Sequence, residues 1–257
     1  KRAHARERRA HAMASFAAYT DEPRSPVRRG TYRYLHQAAG ANRLVPTGII
    51  EHFAITPHTK NGTCTVQATR DATKSPTPGW LSIEALVLGT RPNPNVARFT
   101  ACWQSTTDAS PKLATYELSD EDAIVERFNI VDKTDKARIR LPPNALTLPL
   151  MRVFLGPVIA SIAGDYDGSG TVLLPTLDDL AAPSLFAPQL NERKASLVAK
   201  DLSLLVSGKH MRADLYRFVG GNYGAQSAFW LDPVTQMLIR YEFVHPEDDS
   251  RWQVELV

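Results

Sequence analysis

The chain of 257 residues has little of several features that would identify its class directly. Its two cysteines, Cys64 and Cys102, are too few for a disulfide scaffold or a cysteine metal cluster, and they lie in separate predicted strands. Two buried thiols are the simplest interpretation, and a single cross-strand disulfide is the alternative. No apolar run reaches about 18 residues, so the sequence predicts no membrane-spanning helix.

The short motifs of common cofactor and hydrolase classes are also missing. The sequence contains no GxGxxG or GxxxxGKS/T nucleotide loop, no HExxH zinc motif and no GxSxG nucleophile turn. Its seven histidines do not fall at metal-ligand spacing within any one predicted element of the folded part. We therefore expect no cofactor and no metal site.

Positive charge is concentrated at the N-terminus. The whole chain carries +3, but five basic residues and one glutamate give the first nine residues +4, so the remainder sums to −1. A nucleic-acid-binding domain normally carries a basic stripe on its fold. A neutral body therefore predicts no nucleic-acid partner.

Residues 1–20 alternate Ala with Arg and His, which favours an exposed helix, and Pro23 and Pro26 end it. We predict 1–29 as a basic helical extension. No apolar segment follows its charges as it would in a signal peptide. A cytoplasmic location is therefore expected, or an envelope or periplasmic one if a signal peptide has been removed.

Most of the remaining chain has the two-residue period of half-buried strands. In Met211–Val257, runs of about 7 to 9 residues are separated by Gly, Asn, Asp and Pro, and the gaps are too short for a crossover helix. In the last run, Trp252, Val254 and Leu256 predict a buried face opposite a solvent-exposed one. We predict one β-meander over 202–257 and another over 30–140.

The intervening residues 141–201 are predicted as an insert of helix and loop. Its apolar segment Leu148–Ala163 carries only Arg152 and Ser161 as polar residues, and Gly156-Pro157 lies near its middle. We interpret this segment as a buried helix pair, kinked or broken at the Gly-Pro.

Around twelve strands with a helical insert predict a mainly β single domain over 1–257, built as a strongly curved antiparallel sheet or barrel with the insert on its concave face. This arrangement resembles the open-barrel lipoprotein carriers of bacterial envelopes and, more loosely, the lipocalin-like small-molecule cyclases. The resemblance rests on strand order and the helical insert over roughly 200 residues, without a diagnostic motif. It implies a hydrophobic ligand held between the sheet and the helix.

Two carboxylates lie on strand faces that are otherwise largely apolar, and they are the candidate catalytic residues. Glu51 alternates with Ile49, Phe53 and Ile55, and Glu84 alternates with residues of Trp80–Leu88. A glutamic acid on a dry face that has a raised pKa is suited to general acid–base catalysis. The alternative is that each carboxylate pairs with an arginine, such as Arg33 or Arg217, or lies at a hydrated sheet edge.

Aromatic side chains are concentrated on the predicted strands, and barrels of this size tend to leave a ligand lumen. Most of these side chains are expected to fill the core. The candidate ligand-binding residues are Tyr34, His36, Phe53, Trp80, Trp103, Tyr216, Phe229 and Tyr241.

Three functions fit this pattern. The favoured one is a cofactor-independent cyclase or isomerase acting on a hydrophobic small molecule inside the lumen. The second is a non-catalytic carrier or sensor of a lipid-like ligand, and the third is a structural or partner-binding module. No pattern in the sequence indicates an oligomeric state.

Overall fold

The computed structural model describes residues 27–58, 62–89, 95–107, 110–128, 134–165, 167–177, 179–180, 182–221 and 223–257. The helix predicted over 1–20 lies outside the described residues. The sequence also predicts turns at 60–62, 91–95 and 108–111, and parts of these lie outside the described residues as well. Arg28 and Arg29, assigned to the extension, belong to the first strand instead.

The described residues form fifteen strands and one long helix. The strands of the first half are β1 Arg28–Gln37, β2 Val45–His58, β3 Thr63–Asp71, β4 Gly79–Leu88, β5 Val96–Ser105, β6 Lys112–Leu118, β7 Asp122–Phe128 and β8 Thr134–Arg140. The second half contains β9 Leu146–Thr147, α1 Arg152–Asp165, β10 Ser169–Pro175, β11 Pro188–Val206, β12 Lys209–Val219, β13 Ala228–Leu231, β14 Leu238–Val244 and β15 Arg251–Leu256.

All fifteen strands belong to one sheet, made of two meanders. Strands β1 to β8 are antiparallel neighbours in chain order, β10 to β15 are likewise, and β1 pairs with β15 to join them. Among the described residues β8 and β9 are the two edges, so hydrogen bonds do not close the sheet. The mainly β fold with two meanders was predictable from the sequence.

One pair departs from the antiparallel prediction, so the sheet is mixed. β9 runs parallel to β10, with Leu146 opposite Val172 and Thr147 opposite Leu173. Helix α1 connects these two strands, and a crossover of this kind returns the chain in the same direction. A two-residue strand is too short to give a readable alternation, which is why the sequence did not show it.

Helix α1 is a single helix, so the predicted helix pair is wrong. Pro157 lies inside it, where its missing N–H removes one intrahelical hydrogen bond without ending the helix. Gly156 packs directly on the connection between β13 and β14, because a Cβ built on it would lie 2.1 Å from the carbonyl oxygen of Gln236. The predicted burial of this segment is confirmed: Phe154 is 1% exposed and Ile159 is fully buried.

The region 141–201 also differs from the predicted helix-and-loop insert. It contains β9, α1, β10 and the first part of β11, which runs from Pro188 across the predicted boundary at residue 202. Proline is tolerated as the first residue of a strand. The polar side chains of β11 made it resemble a surface loop, although they alternate along an extended strand.

The loop between β10 and β11 contacts strands near the opposite end of the sheet. The Tyr116 hydroxyl on β6 donates to the carbonyl of Phe186 at 2.6 Å. Arg127 on β7 donates to the carbonyl of Pro183 at 2.9 Å, and Lys112 donates to that of Leu180. The two ends of the open sheet are therefore linked through this loop.

Cys64 and Cys102 are not joined by a disulfide, which excludes the disulfide alternative. Cys64 is fully buried on the core side of β3, whereas Cys102 is half-buried and alternates with the buried Ala101 and Trp103 on β5. Burial raises the pKa of the Cys64 thiol to about 11. The described part of the chain contains no helix long and apolar enough to cross a membrane.

Candidate functional site

A polar row crosses the buried face of the sheet where β1, β2 and β3 pair. Tyr32 lies opposite Glu51, and Glu51 lies opposite Arg70. Directly opposed residues of antiparallel strands point to the same face, so the register alone brings these side chains together. Glu51 is fully buried, as its alternation with Phe53 predicted.

Hydrogen bonds satisfy both oxygens of the Glu51 carboxylate. Oε2 accepts from the Tyr34 hydroxyl at 2.8 Å and from the Arg70 guanidinium at 3.1 and 3.3 Å. Oε1 accepts from the backbone N–H of Arg152 at 2.5 Å. Glu51 is therefore ion-paired, but its partner is Arg70 rather than the Arg33 or Arg217 considered from the sequence. Arg33 pairs with Glu255 instead.

The Glu51–Arg70 pair fixes the start of α1. Arg152 is the first residue of the helix, so its N–H has no intrahelical acceptor and its end of the helix carries partial positive charge. The Glu51 carboxylate supplies both a hydrogen-bond acceptor for this N–H and a negative charge beside the positive end of the helix. Arg70 also donates to the carbonyl of Leu150 at 2.8 Å, and Leu150 has a left-handed φ of 55°. The two side chains thus position the turn that leads into the helix.

The Arg152 side chain lies among tyrosine rings. Its guanidinium carbon is 5.0 Å from the ring centre of Tyr241 and 5.7 Å from that of Tyr34, within cation–π range. One terminal nitrogen approaches the Tyr223 hydroxyl at 3.5 Å. The Nε atom is shielded from solvent and has no hydrogen-bond partner in the described structure.

Tyr223 is the centre of an aromatic cluster beside Arg152. Its ring centre lies between 5.2 and 5.9 Å from those of four other rings. Phe229 also stacks on Tyr241 at 5.4 Å. We define the aromatic cluster as Phe218, Tyr223, Phe229, Tyr241 and Phe243.

Tyr34 and Tyr241 are neutral phenols near pH 7. Burial, together with the nearby Glu51 carboxylate, raises the pKa of Tyr34 to about 12, against the opposing effects of Arg152 and Arg70. Burial also raises the pKa of Tyr241 well above its ordinary value. Tyr34 and Tyr241 therefore supply hydroxyl groups and ring faces but no negative charge.

The structure brings together several of the residues predicted for a site. Glu51, Tyr34 and Tyr241 surround the start of α1, and Phe229 stacks on Tyr241. Phe53 is buried beside Tyr32, at 5.5 Å between ring centres.

Glu84 and Trp80 lie on the other side of the sheet, so the predicted inward orientation of this face of β4 is wrong. The buried residues of that strand are Leu81, Ile83 and the alternate positions that follow. Trp80 is 40% exposed, and Glu84 accepts a hydrogen bond from Gln67 at 3.2 Å on the outer face. Both faces of β4 carry apolar residues, so the alternation did not identify the inner one.

The remaining predicted residues are separate from this group. His36 shares the face of Tyr34 but packs against Trp252 in a tilted arrangement, at 4.6 Å between ring centres. Trp103 is buried two strands beyond Arg70, since β4 separates their strands. Tyr216 is half-buried and packs at the margin of the core. No contact joins these three to Glu51 among the described residues.

Sequence reasoning missed Arg70, Arg152 and Tyr223. Arg152 was detectable, because it is the single charge in an apolar segment and a buried charge needs partners. Arg70 ends a predicted strand and gave no such signal. Tyr223 follows Gly220-Gly221 in a connection between strands, outside the alternating pattern that was used to find aromatic candidates.

No protein-family model and no curated protein sequence matches the chain. Comparison of folds finds similarity to the crystal structure of a "Beta-barrel-like Protein of Domain of Unknown Function DUF1849" from Brucella abortus, at 8% sequence identity and a TM-score of 0.48. The similarity covers 90% of this chain and 95% of that chain. A similarity this low carries no functional information.

Proposed function

We propose that the protein binds a hydrophobic small molecule beside the aromatic cluster, as a non-catalytic carrier or sensor. The observation that carries the proposal is the junction of the cluster with Arg152: four aromatic rings surround Tyr223, and a guanidinium and a hydroxyl converge at its edge. Largely apolar walls with a few converging polar groups are the usual composition of a small-molecule site.

We also propose that the ligand and α1 lie on the concave side of the sheet. Apolar residues of α1 belong to one core together with residues from both meanders. The loop between β10 and β11 crosses to β6 and β7. Both observations are expected of a sheet that curves round the helix.

The partners of Glu51 favour a carrier over the cyclase or isomerase favoured from the sequence. A general acid or base exchanges its proton with a substrate and needs an accessible oxygen within hydrogen-bond reach of it. Both oxygens of Glu51 are buried and occupied by protein donors. Enzymatic activity therefore stays a sequence-based prediction. The absence of a nucleic-acid partner and the cytoplasmic location also stay predictions from the sequence.

Titration with the neutral fluorescent probe N-phenyl-1-naphthylamine tests the proposal. We expect saturable binding of one probe per chain, weakened about tenfold by Tyr223→Ala, which removes the central and half-buried ring of the cluster. Trp80→Ala is the matched control, because it removes a larger ring from the outer face. Non-saturable binding, or equal losses in the two variants, would contradict a site at the cluster.

A further inference from the structure

We infer that the ligand carries an acidic group and that the Arg152 guanidinium binds it. This inference rests on the proposed function and extends it from a hydrophobic molecule to an anionic amphiphile. The juxtaposition that carries it is a largely buried arginine at the edge of an aromatic cluster, with no carboxylate partner for its guanidinium in the part of the chain that the structure describes.

Among the described residues, Arg152 lacks the ionic partner that a buried charge requires. In the described ranges no carboxylate oxygen forms an ion pair with its guanidinium, and its Nε has no hydrogen-bond acceptor. Only its backbone N–H contacts Glu51. Since arginine is not deprotonated in proteins, the positive charge persists and remains unmatched. Buried charges are normally paired, so an acidic ligand group would complete the site.

The charges around the helix start are unequal. Arg70 and Arg152 contribute two positive charges, and of the described carboxylates only Glu51 is in contact with them. Arg70 donates from its Nε and from one terminal nitrogen to Glu51, and from that same nitrogen to the carbonyl of Leu150. The raised pKa of Tyr34 means that this phenol does not balance the charge. Within the described ranges Arg70 is the arginine that is ion-paired with Glu51, so the Arg152 guanidinium is the one left without a counter-charge.

A second buried arginine lies on another side of the aromatic cluster. Arg193 is 7% exposed, and its guanidinium carbon is 6.0 Å from the ring centre of Phe218, which is 5.8 Å from that of Tyr223. One of its terminal nitrogens is buried and has no hydrogen-bond partner among the residues that the structure describes. The cluster is therefore bordered by positive groups at two places, which favours a negatively charged ligand over a neutral or cationic one.

The free donors define the chemistry of the group that fits. Arginine binds carboxylate and phosphate oxygens through charge-assisted hydrogen bonds, often in pairs, and the Tyr223 hydroxyl lies within reach of the same position. The adjoining rings accept an apolar body. A fatty acid or another acidic amphiphile has both an acidic group and an apolar body, whereas a small free anion has only the acidic group.

Isothermal titration with dodecanoate, 1-dodecanol and acetate, at pH 7.5 and below the micelle concentration, tests the inference. We expect dodecanoate to bind wild-type protein at least about tenfold more tightly than 1-dodecanol, since a charge-assisted hydrogen bond is lost with the alcohol. Acetate should bind far more weakly than either. In Arg152→Gln the preference for dodecanoate over 1-dodecanol should disappear.

Arg138→Gln is the control, because it removes a positive charge from an exposed ion pair with Asp122, and it should retain the preference. If Arg152→Gln does not fold, Arg152→Lys should retain part of the preference and Tyr223→Phe should reduce it. Equal binding of acid and alcohol to wild-type protein overturns the inference but leaves the proposed function standing. If acetate binds as tightly as dodecanoate, the inference that the ligand is an amphiphile with an apolar body is overturned. Failure of all three ligands and of the neutral probe overturns the proposed function itself.

Discussion

Glu51 and Arg70 lie directly opposite each other on β2 and β3, and their side chains form a buried ion pair of 3.1 Å on the core face. The same carboxylate accepts hydrogen bonds from Tyr34 on β1 and from the first N–H of α1. One side chain thus connects three strands and the helix. Because protein donors occupy both of its carboxylate oxygens, the first role of Glu51 is structural.

Replacing Glu51 with Gln should destabilise the protein by about 3 kcal/mol, because it leaves the Arg70 guanidinium buried without a counter-charge. The measurement is the free energy of unfolding from urea denaturation. Glu84→Gln is the matched control on a neighbouring region of the same sheet, and its effect should stay within about 0.5 kcal/mol because that side chain lies on the outer face. Equal effects of the two changes would contradict the ion pair.

Gly156→Ala should lower the free energy of unfolding by about 2 kcal/mol or more, as overpacking does. The new methyl group would collide with the backbone at Gln236 and Leu238, which cannot move aside as a side chain can. Gly164→Ala is the control in the same helix, because a Cβ there meets nothing within 4 Å. That change should be neutral or stabilise by up to about 1 kcal/mol. A neutral Gly156→Ala would mean that α1 does not pack on this connection.

Glu255 should make folding stability depend on pH. Burial alone would raise the pKa of this carboxyl, but hydrogen bonds from Arg33 and Arg240 outweigh burial and hold the pKa below its ordinary value. A carboxyl whose pKa is lower in the folded protein than in the unfolded chain stabilises the fold at any pH above its pKa in the unfolded chain. This stabilisation is lost as the pH falls through the pKa of the carboxyl in the folded protein.

Wild-type protein should therefore be more stable than Glu255→Gln at pH 7, and the difference should narrow below about pH 4.3. Thermal unfolding at pH 7, 5, 4 and 3 measures this, with Glu247→Gln as an exposed control. A difference that stays constant down to pH 3 would contradict the lowered pKa.

The burial of Glu255 also corrects the prediction that its face of β15 is solvent-exposed, because Arg33 and Arg240 cover it.

The sequence predicted the meanders because turn residues and alternation are local signals. The burial of Glu51 and Phe53 followed from the same alternation. The parallel pairing of β9 could not be predicted, since its two residues give no period and their partner lies beyond a helix. The orientation of β4 failed for a different reason: apolar residues occupy both of its faces.

The candidate site was only partly predictable. Pattern analysis found Glu51, Tyr34 and Tyr241, but Glu51 was interpreted as an isolated carboxylate because its partner depends on register. Which residue of β3 opposes Glu51 is fixed by pairing over the whole strand, and a shift of one position would direct Arg70 to the outer face. Arg152 and Tyr223 meet only after α1 packs against the second meander.

The location of the ligand is the central claim, and NMR of protein labelled with ¹³C in its tyrosine rings tests it most directly. On titration with dodecanoate, the ring signals of Tyr34, Tyr223 and Tyr241 should shift and saturate together, because these rings surround Arg152. Tyr116 on β6, whose hydroxyl donates to the carbonyl of Phe186, is the internal control, and its ring signal should not shift. Shifts at Tyr116 without shifts at the three site tyrosines, or no saturable shift in any tyrosine, would contradict the account.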